Sequence, residues 1–408
     1  MARVIVAGGS LGGLFAANIL AKQGHDVLVL EKAPGTLDGR GAGIVTHAPL
    51  LEGLRWAGIP IDDSLGVQVR SRVALDADGS VAATRELPQL LTSWSRLYHL
   101  LREALPAERY RCGVTVQRVA QEGGQVQVQC ADGSTVSGDM LVASDGLRSV
   151  VRAQFAPHAQ PFYGGYIAWR GVCDEAMLSQ RTLESVFPHF AFGLPAGEQF
   201  LGYPVAGAGN TTSPGMRRFN FVWYRPAPQD GTLVSLMTDD EGQAYPLGIP
   251  PNKVSRRHIA EMRAAAAALL APQFAEIIAK TVQPFLQPIY DVSSDRIAFD
   301  RVVLMGDASF VARPHVGMGV TKAAQDAMAL ADCIAREGAG PAAAEAYQAL
   351  RLQPGQAVVQ RGRDLGAYMQ AQAGPNAASV SRCAETVLRL TAVDPDRSNR
   401  GGQTTPIN

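Results

Sequence analysis

This chain has no excess of charge of either sign. Its 408 residues carry 37 Lys and Arg against 37 Asp and Glu, a formal net charge of zero. The balance removes the basic footprint of a nucleic-acid binder and leaves no polybasic patch for an anionic membrane, so neither partner is expected. Long apolar runs are missing too: none approaches the roughly 18 residues that cross a bilayer. Cysteine is sparse. Cys112, Cys130, Cys173, Cys333 and Cys383 are scattered, odd in number and without C-x-x-C spacing. They read as reduced, buried thiols in a cytoplasmic protein. No internal repeat is evident, and no metal site is expected. What remains is 47% hydrophobic, enough for a sizeable core in two lobes or one large unit.

Two segments at opposite ends carry the strongest pattern, RVIVAGGSLGGLFAANIL at residues 3–20 and RVVLMGDASFVARPHVGMGVTKAAQDAMALAD at 301–332. In the first, Val4 to Val6 form a short apolar strand, too turn-bounded for a signal sequence. Gly8, Gly9, Gly12 and Gly13 punctuate the turn, and Leu11 and Leu14 to Leu20 run on as a helix. Strand, glycine turn and helix are the context of a dinucleotide fingerprint, with the pyrophosphate at the helix N-terminus. A second strand, Val27 to Leu30, ends in Glu31 and Lys32. An acid about 20 residues after the glycines can bond a ribose hydroxyl. Ser10 occupies the middle glycine position, which narrows the backbone approach without closing it. A chain that needs both end segments is most simply explained by a long cofactor lying across the fold, and FAD has that length.

Between these ends the texture changes. Residues 50–58 and 96–105 have helical spacing, 114–137 read as a meander with a turn at Asp132-Gly133, and 140–144 as a buried strand. From about 160 to 290, short β-rich runs (YIAWRGV, FAFGL, QFLGYPV, FNFVWY) are broken by Gly and Pro. Helices dominate from 317 to about 370, and the tail 394–408 has too little apolar content to fold. This predicts an α/β chain: a Rossmann-like cofactor-binding fold at 1–159, an inserted β-sheet substrate domain at 160–290, the cofactor fold resuming with helices at 291–370, and a C-terminal helix with flexible tail at 371–408.

A third motif lies at 144–152. Asp145-Gly146-x-x-Ser149-x-x-Arg152 resembles the DG motif of class A flavoprotein monooxygenases. Met305-Gly306-Asp307-Ala308 resembles their GD motif, and Arg313-Pro314-His315-x-Gly317-x-Gly319 the loop after it. The chain thus resembles the aromatic-ring hydroxylases typified by p-hydroxybenzoate hydroxylase. GGSLGGL, GAGIV, YIAWRGV, FNFVWY, LMTDD and ARPHVGMG, with Lys322, Ala323 and Asp326, are most similar to the branch acting on hydroxypyridines. The resemblance implies an FAD enzyme that consumes NADH or NADPH and O2 and hydroxylates an electron-rich ring, such as 2,6-dihydroxypyridine, through a flavin C4a-hydroperoxide. It implies that Glu31 binds the adenosine ribose, that Asp307 bonds the ribityl chain, that Arg40 and Gly43 lie along the pyrophosphate or ring edge, and that Pro314 presses near the ring. The backbone of 316–320, including Gly317, Met318 and Gly319, would meet the flavin N1–C2=O edge. Many relatives carry Arg where this chain has Trp94, so that contact would pass to Arg96 or to indole packing. A homodimer is left open. Same-family chemistry on a larger aromatic (epoxidation or Baeyer–Villiger oxidation included) and a non-enzymatic FAD binder are the competing readings.

Hydroxylation by an electrophilic oxygen needs electron density on the ring, which a base near neutral pKa supplies by removing a ring-hydroxyl proton. His47, just past GAGIVT, is the candidate base or substrate ligand. His315 is expected to be fixed by backbone bonds, and His25, His99, His158 and His258 to lie at the surface. Tyr203 and Tyr224 end strands of the expected pocket wall and are candidate substrate contacts, with core packing as the alternative. Trp169-Arg170-Gly171 offers a guanidinium that could bind an anion, but a structural ion pair is the expectation.

Overall fold

A computed structural model describes residues 1–37, 43–246, 248–370 and 383–393. Arg40 and the tail 394–408 lie outside the described residues.

The strand Arg3–Ala7 is buried on both faces from Val4 onward, as a central parallel strand must be. Parallel neighbours flank it, Asp26–Glu31 on one side and Met140–Ala143 on the other. The sheet extends to Tyr110–Cys112 at one edge and, through Val302–Leu304, to Ala298–Phe299 at the other. Both end segments of the sequence therefore meet in one six-stranded sheet. Helix Leu11–Lys22 packs between this sheet and helix Gly319–Glu337, which also contacts helix Pro341–Gly366. The meander at 114–137 forms a separate three-stranded antiparallel sheet.

The second large sheet has nine strands. Its long strand Phe162–Asp174 is paired with Arg218–Pro226 and Phe285–Ser293. Strict alternation divides its side chains. Ile167, Trp169, Phe221 and Trp223 face a core completed by Phe274 and Ile277. Tyr166, Ala168, Tyr203, Val222 and Tyr224 face the other way, towards the cofactor fold.

Two features depart from the expected division. Gly43–Val45, Val67–Leu75 and Val81–Ser93, from the span assigned to the first cofactor region, are strands of the nine-stranded sheet, and His189–Gly193 pairs parallel with Val67–Leu75. The cut at 159/160 therefore does not coincide with the boundary between the sheets. That pairing joins residues more than a hundred positions apart, and no local pattern announces it. Helices Arg256–Leu269 and Pro272–Lys280 interrupt the β-rich stretch. The run AEMRAAAAAL favours helix intrinsically, and the second helix covers the far face of the sheet.

The described C-terminal piece, with helix Ala384–Leu390, docks on Val67–Leu75 and Val81–Ser93. Fully buried Arg72 fastens it. Its guanidinium donates to the carbonyls of Leu388 and Ala392, both at 2.9 Å, and of Thr391, and to Gln89 Oε1. Ala392 N donates to His315 O at 2.9 Å.

Candidate active site

The first glycine turn is set by close approach. Gly8 has φ +99°, and a Cβ there would lie 2.3 Å from Ser144 O. A Cβ on Gly13 would sit 1.9 Å from Gly8 O, and one on Gly12 would sit 2.7 Å from Ser144 Oγ. Ser10 is the N-cap of helix Leu11–Lys22 but makes no side-chain cap, so the first-turn N–H groups stay available. Leu11 is buried beside them. Glu31 is 6% exposed and pinned by its neighbours: Oε2 accepts from Gly9 N and Oε1 from Ala33 N, both at 2.8 Å. A carboxylate has about four lone-pair sites, so two remain for hydroxyl donors. Lys32 is exposed alongside.

The second and third motifs are tied together. Asp145 Oδ2 accepts from Val150 N at 2.8 Å at the start of helix Val150–Phe155, while its Oδ1 is buried with no hydrogen-bond partner among the described residues. Burial pushes the Asp145 pKa above the ordinary range, against hydrogen bonds from Ser149 and the backbone. Arg152 donates to the carbonyls of Gly146 and Leu147 before its helix and of Ala159 after it, and to those of Asp307 and Ala308 on the other loop. Gly306, at φ +60°, is clamped from both sides: its N–H donates to Asp326 Oδ2 at 3.1 Å and its carbonyl accepts from Lys322 Nζ at 2.7 Å. Burial works to raise the Asp326 pKa, but Lys322 and Arg351 outweigh it and hold the carboxyl low. The sequence singled out Lys322 and Asp326 without a role; their i,i+4 spacing on a buried helix face is the signal that could have shown it.

Asp307 itself looks into a cavity of about 390 Å³. Its side chain is exposed on that side, yet the protein packed around the rest of it raises its pKa against the pull of Lys322. Pro314, Gly317 and Gly319 border the same cavity. Helix Gly319–Glu337 starts there without a side-chain cap, and a Cβ on Gly319 would meet nothing within 4 Å. Such an end presents free N–H groups and a partial positive charge. Met318 is buried behind it.

Opposite stands the sheet face with Arg170, Tyr203 and Tyr224. Gly43 is required here because a Cβ would lie 2.4 Å from the Tyr203 ring. Burial raises both tyrosine pKa values, Tyr224 to about 12, with Arg170 opposing. Trp94 borders the cavity while stacking on Tyr98 at 5.0 Å. Arg96 turns away to Ser64, so of the two expected substitutes only the indole reaches the site.

The histidines separate. His47 is not among the residues that border the cavity; its Nε2 lies 3.1 Å from Gly317 O, and since a carbonyl only accepts, Nε2 carries the proton. His315 borders the cavity but its Nε2 is held by Gly362 O at 2.8 Å, as expected of a backbone-fixed residue. His258, expected at the surface, is buried against Ser235 and Glu261. Arg170 also departs from expectation: no carboxylate pairs with it among the described residues.

A family model described as FAD binding domain-like matches residues 163–291. The chain is 30% identical to 2,6-dihydroxypyridine 3-monooxygenase of Paenarthrobacter nicotinovorans, over 90% of this chain and 91% of that protein. The chain belongs to the FAD-dependent aromatic-ring monooxygenases. The solved structure of 2,6-dihydroxypyridine-3-hydroxylase from Arthrobacter nicotinovorans superposes on this monooxygenase with a TM-score of 0.85 at 29% identity, covering 92% of this chain and 95% of that one. A second relative, 3-amino-4-hydroxybenzoate 2-monooxygenase of Streptomyces cremeus, is 29% identical over 91% and 89% of the two chains. Membership makes this protein an enzyme that uses FAD, reduced nicotinamide and O2 to hydroxylate an aromatic ring, and removes the non-enzymatic reading. No helix among the described residues is long and apolar enough to cross a membrane.

Proposed function

We propose that this monooxygenase hydroxylates a single hydroxylated ring, a hydroxypyridine of the 2,6-dihydroxypyridine type. The cavity between the Asp307 loop and the Arg170–Tyr203–Tyr224 face carries this reading. Its volume of about 390 Å³ lies at the small end of ligand sites, which run from about 300 to 1,000 Å³, and the cofactor ring takes a share. That favours one ring over a larger metabolite.

The chain's residues suit FAD. The Gly8–Gly13 turn, with Ser10 and Leu11, would present N–H groups to the pyrophosphate, and Glu31 would accept from the adenosine ribose with Lys32 beside it. The orphaned Asp145 Oδ1 and Asp307 would take hydroxyl donors, Pro314 would pack on the ring, and the Gly317–Gly319 backbone would face its polar edge. FAD, when bound, supplies the activation of O2 that lets one oxygen atom enter the substrate ring. His47 acts by positioning, because its proton holds the Gly317 carbonyl. Tyr203 and Tyr224 stay protonated at neutral pH and donate to the substrate. The free cysteines suit a reducing cytoplasm, where NADH or NADPH is supplied.

The test is a panel of hydroxypyridines and hydroxybenzoates, scored by stimulated NAD(P)H oxidation and by the mass of the product. A hydroxypyridine should stimulate most and gain one oxygen atom. Stimulation only by multi-ring compounds would overturn the proposal.

A further inference from the structure

Two hydrogen bonds hold one residue of the first glycine turn from its two ends. Gly9 N donates to Glu31 Oε2 at 2.8 Å, and Gly9 O accepts from the Tyr110 hydroxyl at 2.9 Å. The Glu31 half belongs to the fingerprint. The Tyr110 half does not: it arrives from 101 positions along the chain, on the edge strand Tyr110–Cys112, in a run outside every motif of the sequence. Tyr110 lies opposite Val29 and Cys112 opposite Glu31. The pleat therefore puts the tyrosine and the glutamate on one face of the parallel sheet, below the same glycine.

The tyrosine is closely fitted there. It is buried, and the Arg102 guanidinium lies 4.4 Å from the centre of its ring. A Cβ on Gly9 would overlap both ring and hydroxyl. Burial, with Tyr98 and Glu31 nearby, pushes its pKa up. The hydroxyl keeps its proton, and since a carbonyl only accepts, that proton points at Gly9 O. Peptide planarity turns the contact into aim, because the C=O and N–H of one trans unit point opposite ways. With Gly9 O drawn to Tyr110, the Ser10 N–H is turned away from the tyrosine. With Gly9 N drawn to Glu31, the Gly8 carbonyl is turned towards Gly13, where a Cβ would strike it. The Gly8–Gly9 and Gly9–Ser10 peptide planes are thus both set by the protein alone.

We propose that Tyr110 is a positioning residue for FAD, one that fixes the Gly9–Ser10 peptide and so orders, in advance, the amide groups that meet the pyrophosphate. It acts through Gly9 and needs no contact with the cofactor. The inference rests on the reading of the Gly8–Gly13 turn as the pyrophosphate site and gives that turn a support from outside its motif. A turn ordered beforehand loses less entropy when the ligand arrives.

Tyr110→Phe keeps the ring and removes the donor. The dissociation constant for FAD is read from flavin fluorescence, and hydrogen–deuterium exchange of the full chain, stripped of flavin, from mass spectrometry. The Phe variant should bind FAD about three- to tenfold more weakly, the range of one neutral hydrogen bond. Exchange should quicken at residues 8–12 while Arg3–Ala7 and Tyr110–Cys112 keep the parental rates. Should the Phe variant fail to fold, Tyr110→Met takes its place. An affinity within about twofold of the parent, parental exchange at 8–12, or exchange that quickens equally in the two strands would overturn the proposal; the last result would make Tyr110 a fastener of the sheet edge. Glu31→Gln, measured in parallel, separates failure of the turn reading: the turn would loosen in Tyr110→Phe, yet neither variant would bind FAD more weakly.

Discussion

Asp307 carries two opposed demands. Its carboxylate faces the cavity, yet lost hydration raises its pKa. A raised acid costs the fold once ionised: the cost is absent below the ordinary carboxyl value of about 3.9 and in force above the raised one. Because the side chain is open to solvent on the cavity side, water screens most of that cost, and Asp307→Asn should raise the melting temperature of the apoprotein only slightly at neutral pH and not at all near pH 3, by calorimetry. The same substitution should weaken FAD binding about 10- to 150-fold, the equivalent of one charge-assisted hydrogen bond of about 1.5–3 kcal/mol, as measured by flavin fluorescence on release. For His47, held on Gly317, Gln can still donate and Ala cannot. His47→Gln should keep the parental pH profile, whereas His47→Ala should divert NAD(P)H to released hydrogen peroxide; a changed profile in the Gln enzyme would make the imidazole a proton carrier instead. Gly8, Gly13, Glu31 and Asp307 were legible because each holds a fixed place in a short local pattern. Arg170 was not, because what surrounds it comes from separate strands.

Among elements, the C-terminal helix Ala384–Leu390 buries Val387 and Leu388 and is also gripped by Arg72. Burial lowers the Arg72 pKa to about 9, and the guanidinium satisfies carbonyls of Leu388, Thr391 and Ala392. Arg72→Met removes the donor and leaves buried acceptors, each costing about 1–3 kcal/mol if water cannot reach it. The segment should detach: brief protease treatment should cut the variant within 383–393, where the parent resists, and flavin fluorescence should become more quenchable by iodide, since Ala392 borders the cavity. Equal resistance in both proteins would show that packing alone secures the helix. The helices at 48–56 and 94–104 and the meander were readable from their periods. The pairing of Val67–Leu75 with His189–Gly193 was not, because a strand's partner is chosen by the whole fold.

At the scale of the molecule, the two large sheets share one stretch of chain. Residues 43–93 give three strands to the nine-stranded sheet before the chain returns to the parallel one. The fragment 160–290 should thus fail to fold alone, giving collapsed proton NMR dispersion, whereas co-expression with 1–159 and 291–408 should restore it. A well-dispersed spectrum from the isolated fragment would mean that its own strands suffice. This interleaving also sets a timetable. Protein synthesis, at about 5–20 residues per second, delivers the first glycine turn well before the sheet strand Val302–Leu304, the Lys322 clamp and the carbonyls that Arg72 grips. A nascent chain on the ribosome has nowhere to seat its cofactor. A chain truncated before Ala392 lacks part of the cavity wall, so yellow colour tests the far end of the fold as well as the first glycine turn.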